Sequence, residues 1–476
     1  MSVTTVTIGL LVVYFVSLKW IATWAHRQGR RTVDDFFLAG RAVGMSALAG
    51  TVVASMVNGL AVTGTPALFY RGGILFTQMF VIVLGGTALM WIFGARIATE
   101  GARAGIITQG EYFAGCYDSR LVHGLVTVLG LLAILPFMAA QIAGVGKVLS
   151  GMSAGAIPFE IGVGLCVASI AAYTFFGGAR AVVWTDVLQG LIALGFLAVS
   201  AVVFSQWVGG FTEGLDRVAR LMPEKFVFNQ TNTPVFIDNV LSWTFAIFLF
   251  PHIFQRLFMA REPRRIRQTA AFSLLLLLFV LGCILVMAVA ATAELHGTLD
   301  DPDELIAAMF HLHWPAGGVI LTLVVFAVAM STIDSVLLTV GSLVTRDATR
   351  SLLGIELTTA TEFNVARWAT MTFLGLGTLV AVTAIGRGAI VPWVTMSASV
   401  ATLLFWPLLG TVWKRATREG AIAAMCLGFV AVCVMRFTEI GAGLPVGYAT
   451  VGFLVGGASF VGVSLLTGRS PHVAAD

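Results

Sequence analysis

Oxygen-bearing side chains interrupt a long apolar stretch of this chain. The string AMSTIDS places Ser331, Thr332 and Asp334 within a run of aliphatic residues. An acid is costly to bury in such a run, so it should face the interior of a helix bundle or a wet cavity. Hydroxyl groups in a membrane helix also commonly bond back to their own backbone. Both ligand binding and local hydrogen bonding are therefore open to these residues.

Two further apolar stretches are poor continuous helices. The first, residues 43–70, is rich in glycine and contains Pro66, and we expect its backbone to open between Ser55 and Gly59. The second, WTFAIFLFPHIFQR, carries Pro251 late in the run. Inside a helix, glycine costs about 1 kcal/mol and proline about 3 kcal/mol. Glycine can serve close helix packing, but interrupted helices in matching positions of two halves indicate the binding site of a secondary transporter.

The composition is that of a polytopic membrane protein. Of the 476 residues, 58% are hydrophobic and 11% are charged, with a mean hydropathy of +0.94, whereas soluble chains carry about 25% charged residues. This composition excludes a soluble enzyme, a nucleic-acid-binding protein and a disordered chain. The five cysteines and seven histidines show no metal-ligand spacing, so we expect no cofactor, no transition metal and no disulfide framework.

Thirteen apolar runs are long enough to cross a bilayer, which takes about 20 residues. The predicted spans are 5–25, 43–70, 74–98, 122–150, 157–178, 183–208, 236–260, 270–293, 316–345, 365–386, 389–412, 418–436 and 445–467. An odd number of spans places the two termini on opposite sides. The longest loops, 209–235 and 294–315, have no room for a soluble domain, which argues against a membrane enzyme and against a sensor with an appended signalling domain.

The basic residues support this number of spans and indicate the orientation. With the N-terminus outside, the cytoplasmic loops and ends hold 20 Lys and Arg residues, against seven on the other side. The inner loop at the edge of span 7 is rich in arginine, including Arg256 and Arg261, whereas the segment 294–314 carries acids and no Lys or Arg. Positive residues concentrate on the cytoplasmic side of membrane proteins. We therefore expect a cytoplasmic C-terminus. The high usage of Arg and Ala and the short chain favour a bacterial inner membrane.

Four local strings resemble the sodium:solute symporter family, in the family's order and spacing. They are DDFFLAGR at 34–41, WTDVLQ at 184–189, PHIFQR at 251–256 and MSTIDS at 330–335. The resemblance implies an all-α polytopic fold with the inverted-repeat architecture of the leucine transporter, which has two five-helix repeats. On that scheme residues 1–42 form an extra helix and inner loop, 43–208 the first repeat, 209–412 the second repeat, and 413–476 two further helices and a tail.

The resemblance also implies a sodium site between spans 2 and 9. Aligned on the GR and MST strings, its backbone carbonyls fall on Ala54, Val57 and Val328. Its hydroxyls fall on Ser331 and Thr332. This set is chemically reasonable, because sodium takes oxygen ligands and an unwound helix offers carbonyls without an internal partner. Sodium is the only metal that the resemblance implies.

Two acids are candidates to support sodium binding. Asp186 opens span 6, where the family has an aspartate that assists sodium binding or release, and the alternative is an interfacial ion pair with Arg180. Asp334 lies one helical turn beyond Ser331. It is a candidate support for the sodium ligands or for a second cation, or else the partner of a cytoplasmic arginine.

The substrate is expected at the midplane between the broken helices. The candidate contacts are Ser55, Met56, Asn58, Gly59, Gln141, Trp243, Ile247 and Phe250. An interhelical hydrogen bond is an equal alternative for Gln141, and packing is one for Trp243. The sodium/proline symporter of the family carries an aspartate where this chain has Met56, which argues against proline as the substrate.

These contacts include no acid, so a substrate amine would lack a counter-ion. A carboxylate can instead be held by the positive end of a half-helix and by free backbone N–H groups. We therefore expect a sodium-coupled symporter that imports a small organic solute by alternating access, with a small monocarboxylate as first choice and an amino acid or a pantothenate-like acid as second. A proton-coupled transporter on the same fold stays open, through Asp334 or Asp186, whereas the charged rings and filter repeats of a channel are missing from the sequence.

The expected partners follow from this function. They are the solute, Na+ and the lipid bilayer. We expect neither a nucleic acid nor an obligatory protein partner.

Overall fold

Helices make up the bundle, and its glycine- and proline-rich segments decide where those helices break. The computed structural model describes residues 3–28, 32–152, 157–385, 390–438, 441 and 446–468. Within these residues the regular structure is helical, apart from a single parallel bridge between Val43 and Ala260.

The first half of the chain ends in a long, kinked helix. Its helices are α1 (Val3–Gln28), α2 (Val33–Leu38), α3 (Met45–Met56), α4 (Gly59–Gly72), α5 (Thr77–Ala104), α6 (Gln109–Tyr117), α7 (Arg120–Met152) and α8 (Phe159–Trp207). Gly178 kinks α8 with a φ of +69°. A side chain is strained at this φ and glycine is not, so Gly178 marks the break between the two helical parts that correspond to spans 5 and 6.

The second half contains the remaining helices. They are α9 (Phe211–Leu221), α10 (Asn232–Leu249), α11 (Pro251–Phe258), α12 (Ile266–Leu295), α13 (Leu305–His313), α14 (Pro315–Ser342), α15 (Thr359–Val380), α16 (Val391–Thr402), α17 (Phe405–Gly410), α18 (Arg418–Phe437) and α19 (Tyr448–Thr467). A π-helical segment, Leu343–Leu352, continues α14.

The prediction of an all-helical polytopic protein is confirmed. In the described part of the chain, ten helical segments are long and apolar enough to cross a membrane, and shorter apolar helices lie at 12–25, 45–56 and 159–171. Every predicted span coincides with helix, and spans 2, 7 and 11 each consist of two successive helices. The span-edge residues 386, 389 and 445, and the tail beyond 468, lie outside the described residues.

Span 2 is broken at Val57 and Asn58, within the cluster where the sequence predicts an opening. α3 ends at Met56, and Val57 adopts an extended backbone with φ −84° and ψ 97°. Asn58 begins α4, because its side chain accepts a hydrogen bond from the N–H of Ala61 at 3.1 Å. Asparagine is a favoured residue at this position because it satisfies a donor that the helix leaves without a partner. The break therefore starts a new helix within the span.

Span 7 is broken immediately before its proline. α10 ends at Leu249, Phe250 has φ −57° and ψ 129°, and Pro251 is the first residue of α11. Proline is tolerated at the first helical position because its missing N–H has no partner there anyway. The residue before a proline is also pushed toward extended backbone. Pro251 thus sets the position of this break.

The helix α14 runs through the centre of the bundle. Nearly all its side chains from Gly317 to Ser342 are buried, including those of Ser331, Thr332 and Asp334. It contacts α3, α7, α8 and α15. A helix that is covered on all sides can be apolar all round, so the few polar residues of α14 stand out as candidates for function.

Candidate functional site

Oxygen atoms of α3 and α14 meet beside the break in span 2. The hydroxyl of Ser331 donates to the carbonyl oxygens of Ala54 and Val328, each at 2.9 Å. The hydroxyl of Thr332 lies 3.2 Å from the same oxygen of Val328. All four residues are buried. The structure thus brings together four of the residues that the family resemblance implies as sodium ligands.

The remaining residue of that set, Val57, lies at the break itself. Its N–H donates to the carbonyl of Val53 at 2.7 Å, which is the last helical bond of α3. Its ψ of 97° turns its own carbonyl out of the helical direction. Val57 also lines the large cavity described below, whereas Ala54 is not part of its described lining.

Asp186 pairs with an arginine from the other broken span. Arg256 Nη2 lies 3.0 Å from Asp186 Oδ2, and the two side chains are 1% and 0% exposed. Thr51 of α3 donates a hydrogen bond to the same carboxylate oxygen. The alternative of a pair with Arg180 is wrong, because Arg180 lies 2.6 Å from Asp35 Oδ1. The buried pair therefore joins α8 to α11.

Two serines complete the cluster around this ion pair. The hydroxyls of Ser55 and Ser335 lie 3.2 Å apart. Arg256 donates to Ser335 and, at 3.5 Å, to Ser55. The sequence predicts a substrate contact for Ser55, but its hydroxyl faces Arg256, and Ser55 is absent from the described cavity lining. Because Ser55 follows Ala54 and Ser335 lies one turn beyond Ser331, the ion pair adjoins the candidate sodium ligands.

Asp334 is fully buried on another side of α14. Its described electrostatic neighbours include Tyr14 of α1 and Cys166 of α8. The Tyr14 hydroxyl accepts a hydrogen bond from Gln189 Nε2 at 2.6 Å, and Gln189 lies one turn after Asp186. The helix α1 thus contacts α8 close to Asp186. The role of Asp334 in supporting a cation stays a prediction.

A cavity of about 910 Å³ lies between the two broken spans. Four of the predicted substrate contacts line it, namely Met56, Asn58, Trp243 and Ile247. Much of the remaining lining is apolar and comes from α5 and α12. A large apolar cavity with a few polar groups is the usual form of a small-molecule site. The cavity therefore adjoins the start of α4 on one side and α10 on the other.

Aromatic rings pack in a layer against Trp243. The ring centroids of Trp243 and Phe250 are 6.1 Å apart, and Phe250 stacks on Phe137 at 4.9 Å. His252 packs against Phe137 as well, at 5.7 Å. The sequence predicts a substrate contact for Phe250, but it is 2% exposed and lies behind Trp243. Trp243 is therefore the member of this layer that faces the cavity.

Gly59 and Gln141 contact each other rather than the cavity. Gln141 Oε1 accepts a hydrogen bond from the N–H of Gly59 at 3.1 Å, and neither residue is part of the described cavity lining. The interhelical hydrogen bond expected as the alternative for Gln141 is thus present. It holds α7 against the first residue of α4.

Charged residues surround the opposite end of the cavity. Arg71, near the end of α4, lies 3.1 Å from Asp303 and 3.6 Å from Asp301. Lys147 and Glu304 also line this part. The orientation predicted from the basic residues places this end outside.

Sequence reasoning missed Arg256 as a residue of the site. The distribution of basic residues assigns it to a cytoplasmic loop, whereas the structure buries it in α11. The available signal was its position five residues after Pro251, within an apolar string. An arginine that a broken helix carries into the bundle needs a buried acid as partner, and Asp186 provides one.

Comparison with known sequences agrees with the family resemblance of the four local strings. The profile of the sodium:solute symporter family matches residues 36–428. A sodium/pantothenate symporter of Escherichia coli (strain K12) is 27% identical over 457 residues, covering 90% of this chain and 90% of that protein. A sodium/proline symporter of the same organism is 26% identical over 499 residues, covering 100% of this chain and 95% of that protein.

Comparison with solved structures confirms the expected fold. A Na+-coupled sialic acid symporter, in a substrate-bound outward-open state, superposes with a TM-score of 0.82 at 18% identity, covering 98% of this chain and 99% of that chain. A second transporter of the leucine-transporter fold, crystallised with L-phenylalanine, superposes with a TM-score of 0.54 at 12% identity, covering 88% and 98%. At such identities the likeness concerns the fold alone.

Proposed function

The chain belongs to the sodium:solute symporter family, and from that premise we propose that it imports a small monocarboxylate together with Na+. It is a multi-pass membrane protein and a sodium-coupled solute symporter rather than an enzyme. The proposal concerns the substrate, the residues that bind it and the ion, and the direction of transport.

The single observation that carries the substrate proposal is the start of α4 at the cavity. Asn58 and Ala61, at the first turn of α4, both line the cavity. The N-terminus of a helix carries a partial positive charge, while the N–H groups of Gly59 and Ala61 bind Gln141 and Asn58. Discontinuous helices in transporters present such an end to an anionic substrate group. A carboxylate placed beside Asn58 would meet this positive end.

The acids of the cavity support the same substrate class. Among the described lining residues, Asp301, Asp303 and Glu304 are the acids. They lie at the end marked by Arg71, and Arg71 pairs with two of them. A substrate amine near Asn58 would therefore lack a counter-ion, which is costly away from water. A carboxylate with a small apolar body matches this lining better.

The proposed sodium site consists of the carbonyls of Ala54, Val57 and Val328 and the hydroxyls of Ser331 and Thr332. Its support is the close approach of Ser331 to Ala54 and Val328. Asp186 and Asp334 are proposed to support the ion from adjacent positions. Because Ala54 precedes the break and Val57 and Asn58 lie at it, ion and substrate would share one broken helix, and occupancy of one site would affect the other.

The arrangement of the chain in the membrane is proposed on the same basis. Residues 43–208 and 209–412 form the two repeats, since the breaks at Asn58 and Phe250 lie in the first span of each. The N-terminus lies outside and the C-terminus in the cytoplasm of a bacterial cell, because this arrangement places most Lys and Arg inside.

Two alternatives have specific support. A pantothenate-like acid fits the large cavity volume of about 910 Å³ and the similarity to a sodium/pantothenate symporter. Coupling to protons would use a buried acid near the ion site, and Asp334 is fully buried.

The test is uptake by proteoliposomes at fixed pH, with external Na+ or choline. Labelled lactate and pyruvate are the small monocarboxylates, and labelled pantothenate and L-proline are the competitors. We expect sodium-dependent uptake of lactate or pyruvate, abolished in the Ser331→Ala/Thr332→Ala variant. Uptake of pantothenate or proline alone would contradict the substrate, and equal uptake with external choline and with external Na+ would contradict sodium coupling.

The voltage response gives the number of sodium ions. One Na+ with one monocarboxylate moves no net charge, so a membrane potential set by valinomycin would not change accumulation. A second Na+ makes each cycle electrogenic, and about 2.3 kcal/mol per 100 mV then adds to the driving force.

A further inference from the structure

The segment 106–111 joins α5 to α6 and includes the first turn of α6, and most of it is buried. Ile107, Thr108 and Gln109 are 3%, 1% and 1% exposed. Backbone and side-chain polar groups that are buried in this way require specific partners. The partners of this segment, called the loop below, identify the elements that it holds.

The side chain of Gln109 reaches the break in span 7. Its Nε2 donates to the carbonyl of Leu249 at 3.0 Å, and Leu249 is the last residue of α10. Carbonyls in the last turn of a helix have no partner within the helix, and Pro251 has no N–H to offer. Gln109 therefore fixes the end of the half-helix that carries Trp243 and Ile247 to the cavity.

The other half of span 7 is tied to the same loop. Gln255 of α11 donates to the carbonyl of Ile107 at 3.3 Å and to the hydroxyl of Ser342 at 2.9 Å. Its Oε1 accepts from the hydroxyl of Thr339 at 2.7 Å. Thr339 and Ser342 lie on α14, further along the helix that carries Ser331. Both halves of the broken span thus meet at one loop, and one half is also bonded to α14.

The far side of the loop is anchored to the continuation of α14. The Thr108 hydroxyl donates to Asp347 at 2.5 Å, and Thr127 donates to the same carboxylate at 2.8 Å. His123 Nε2 lies 2.9 Å from it. A Cβ on Gly110 would come within 2.6 Å of Asp347 Oδ2, so the loop has no room to shift toward this anchor.

We propose that residues 106–111 form a strap that holds the two halves of span 7 in place, with Gln109 and Gln255 as positioning residues for transport. The strap keeps this end of the bundle closed while the cavity is accessible from the end marked by Arg71. Opening of the closed end requires both glutamines to exchange their partners. The inference rests on sodium-coupled transport and is independent of which solute is carried.

The test is hydrogen exchange of the full-length protein in lipid nanodiscs, read by mass spectrometry. Gln109→Met keeps the side-chain volume and removes the donor. We expect amide exchange about tenfold faster across 249–258, far away in the sequence, because the local opening free energy falls. Gln255→Met should have the reciprocal effect across 105–111. The matched control is Gln206→Met, at an exposed position on α8, which should change neither segment.

A second measurement separates positioning from general loosening of the fold. In both variants the Na+ concentration for half-maximal thermal stabilisation should stay within about twofold of wild type, because neither substitution removes a proposed ion ligand. Exchange that rises only around the substituted residue would overturn the strap, and so would a large loss of sodium affinity. If Gln109→Met does not fold, exchange across 105–111 in Gln255→Met decides the question.

Discussion

Arg256 Nη2 lies 3.0 Å from Asp186 Oδ2 in the part of the bundle where both broken spans meet α14. The ion pair also contacts Thr51, Ser55 and Ser335. It therefore connects α3, α8, α11 and α14 through charged and hydroxyl groups. Separating two buried charges of this kind is costly, whereas replacing both by apolar groups often is not.

The first prediction concerns this pair. Arg256→Met leaves Asp186 buried without its cation, and we expect a loss of about 3–5 kcal/mol in the free energy of unfolding. Asp186→Leu/Arg256→Met should melt at a higher temperature than Arg256→Met alone, because no uncompensated charge remains. The measurement is thermal unfolding of the purified variants.

The matched control for Arg256 is Arg261→Met, because Arg261 lies on an exposed position just after α11. Exposed charges contribute about 0–1 kcal/mol, so this variant should unfold close to wild type. Equal melting temperatures for the Arg256 and Arg261 variants would show that losing the cation of the buried pair costs no more stability than losing an exposed charge.

A second prediction tests the close packing of α5 on α10. A Cβ on Gly86 would overlap Cγ2 of Ile247, a cavity-lining residue. Gly86→Ala should therefore destabilise the protein by about 1–3 kcal/mol, as overpacking usually does. Gly195→Ala is the control, because a Cβ there meets nothing within 4 Å, and alanine favours a helix by about 1 kcal/mol. Stabilisation by both substitutions would refute the packing argument.

A third prediction concerns the chemistry of Cys116 in α6. Burial, with a smaller contribution from Glu100, raises the pKa of its thiol to about 12. The thiolate is the reactive form, so its fraction at pH 8 is about 10³-fold below that of an ordinary thiol. With the other cysteines replaced by serine, a soluble maleimide should label Cys116 very slowly at pH 8. Labelling should accelerate as the pH rises toward 12.

The control for Cys116 is Gly115→Cys combined with Cys116→Ser. Gly115 is exposed, and a Cβ there meets nothing within 4 Å. This thiol should react at the rate of a free cysteine. Similar rates for the two positions at pH 8 would contradict the effect of burial.

Local sequence patterns predict both helix breaks because the causes are local. Pro251 cannot continue the preceding helix, and Asn58 can cap the next one, whatever surrounds them. The apolar runs likewise predict the spans, because a bilayer selects length and hydropathy. The family resemblance adds the close approach of Ala54 and Ser331, which no local pattern contains.

The partners of buried polar residues cannot be predicted in this way. Arg180 lies six residues before Asp186 and is the nearer choice in sequence, yet the fold directs Asp186 to Arg256. Ser55 and Met56 are neighbours in the chain, but one faces the ion pair and the other the cavity. These outcomes depend on the helix rotation that tertiary packing sets, and the same holds for the bond from Gln109 to Leu249.

The most direct test of the central claim is thermal stability in NaCl against choline chloride at one pH. A ligand that binds only the folded state stabilises it by RT ln(1 + [L]/Kd), or about 2.7 kcal/mol at 100 times Kd. We predict a sodium-specific rise in melting temperature that is lost in Ser331→Ala/Thr332→Ala. It should persist in Thr322→Ala, which removes a buried hydroxyl from the same helix. A wild type that responds equally to both salts, or a double variant that keeps the full sodium response, would contradict the proposed ion site.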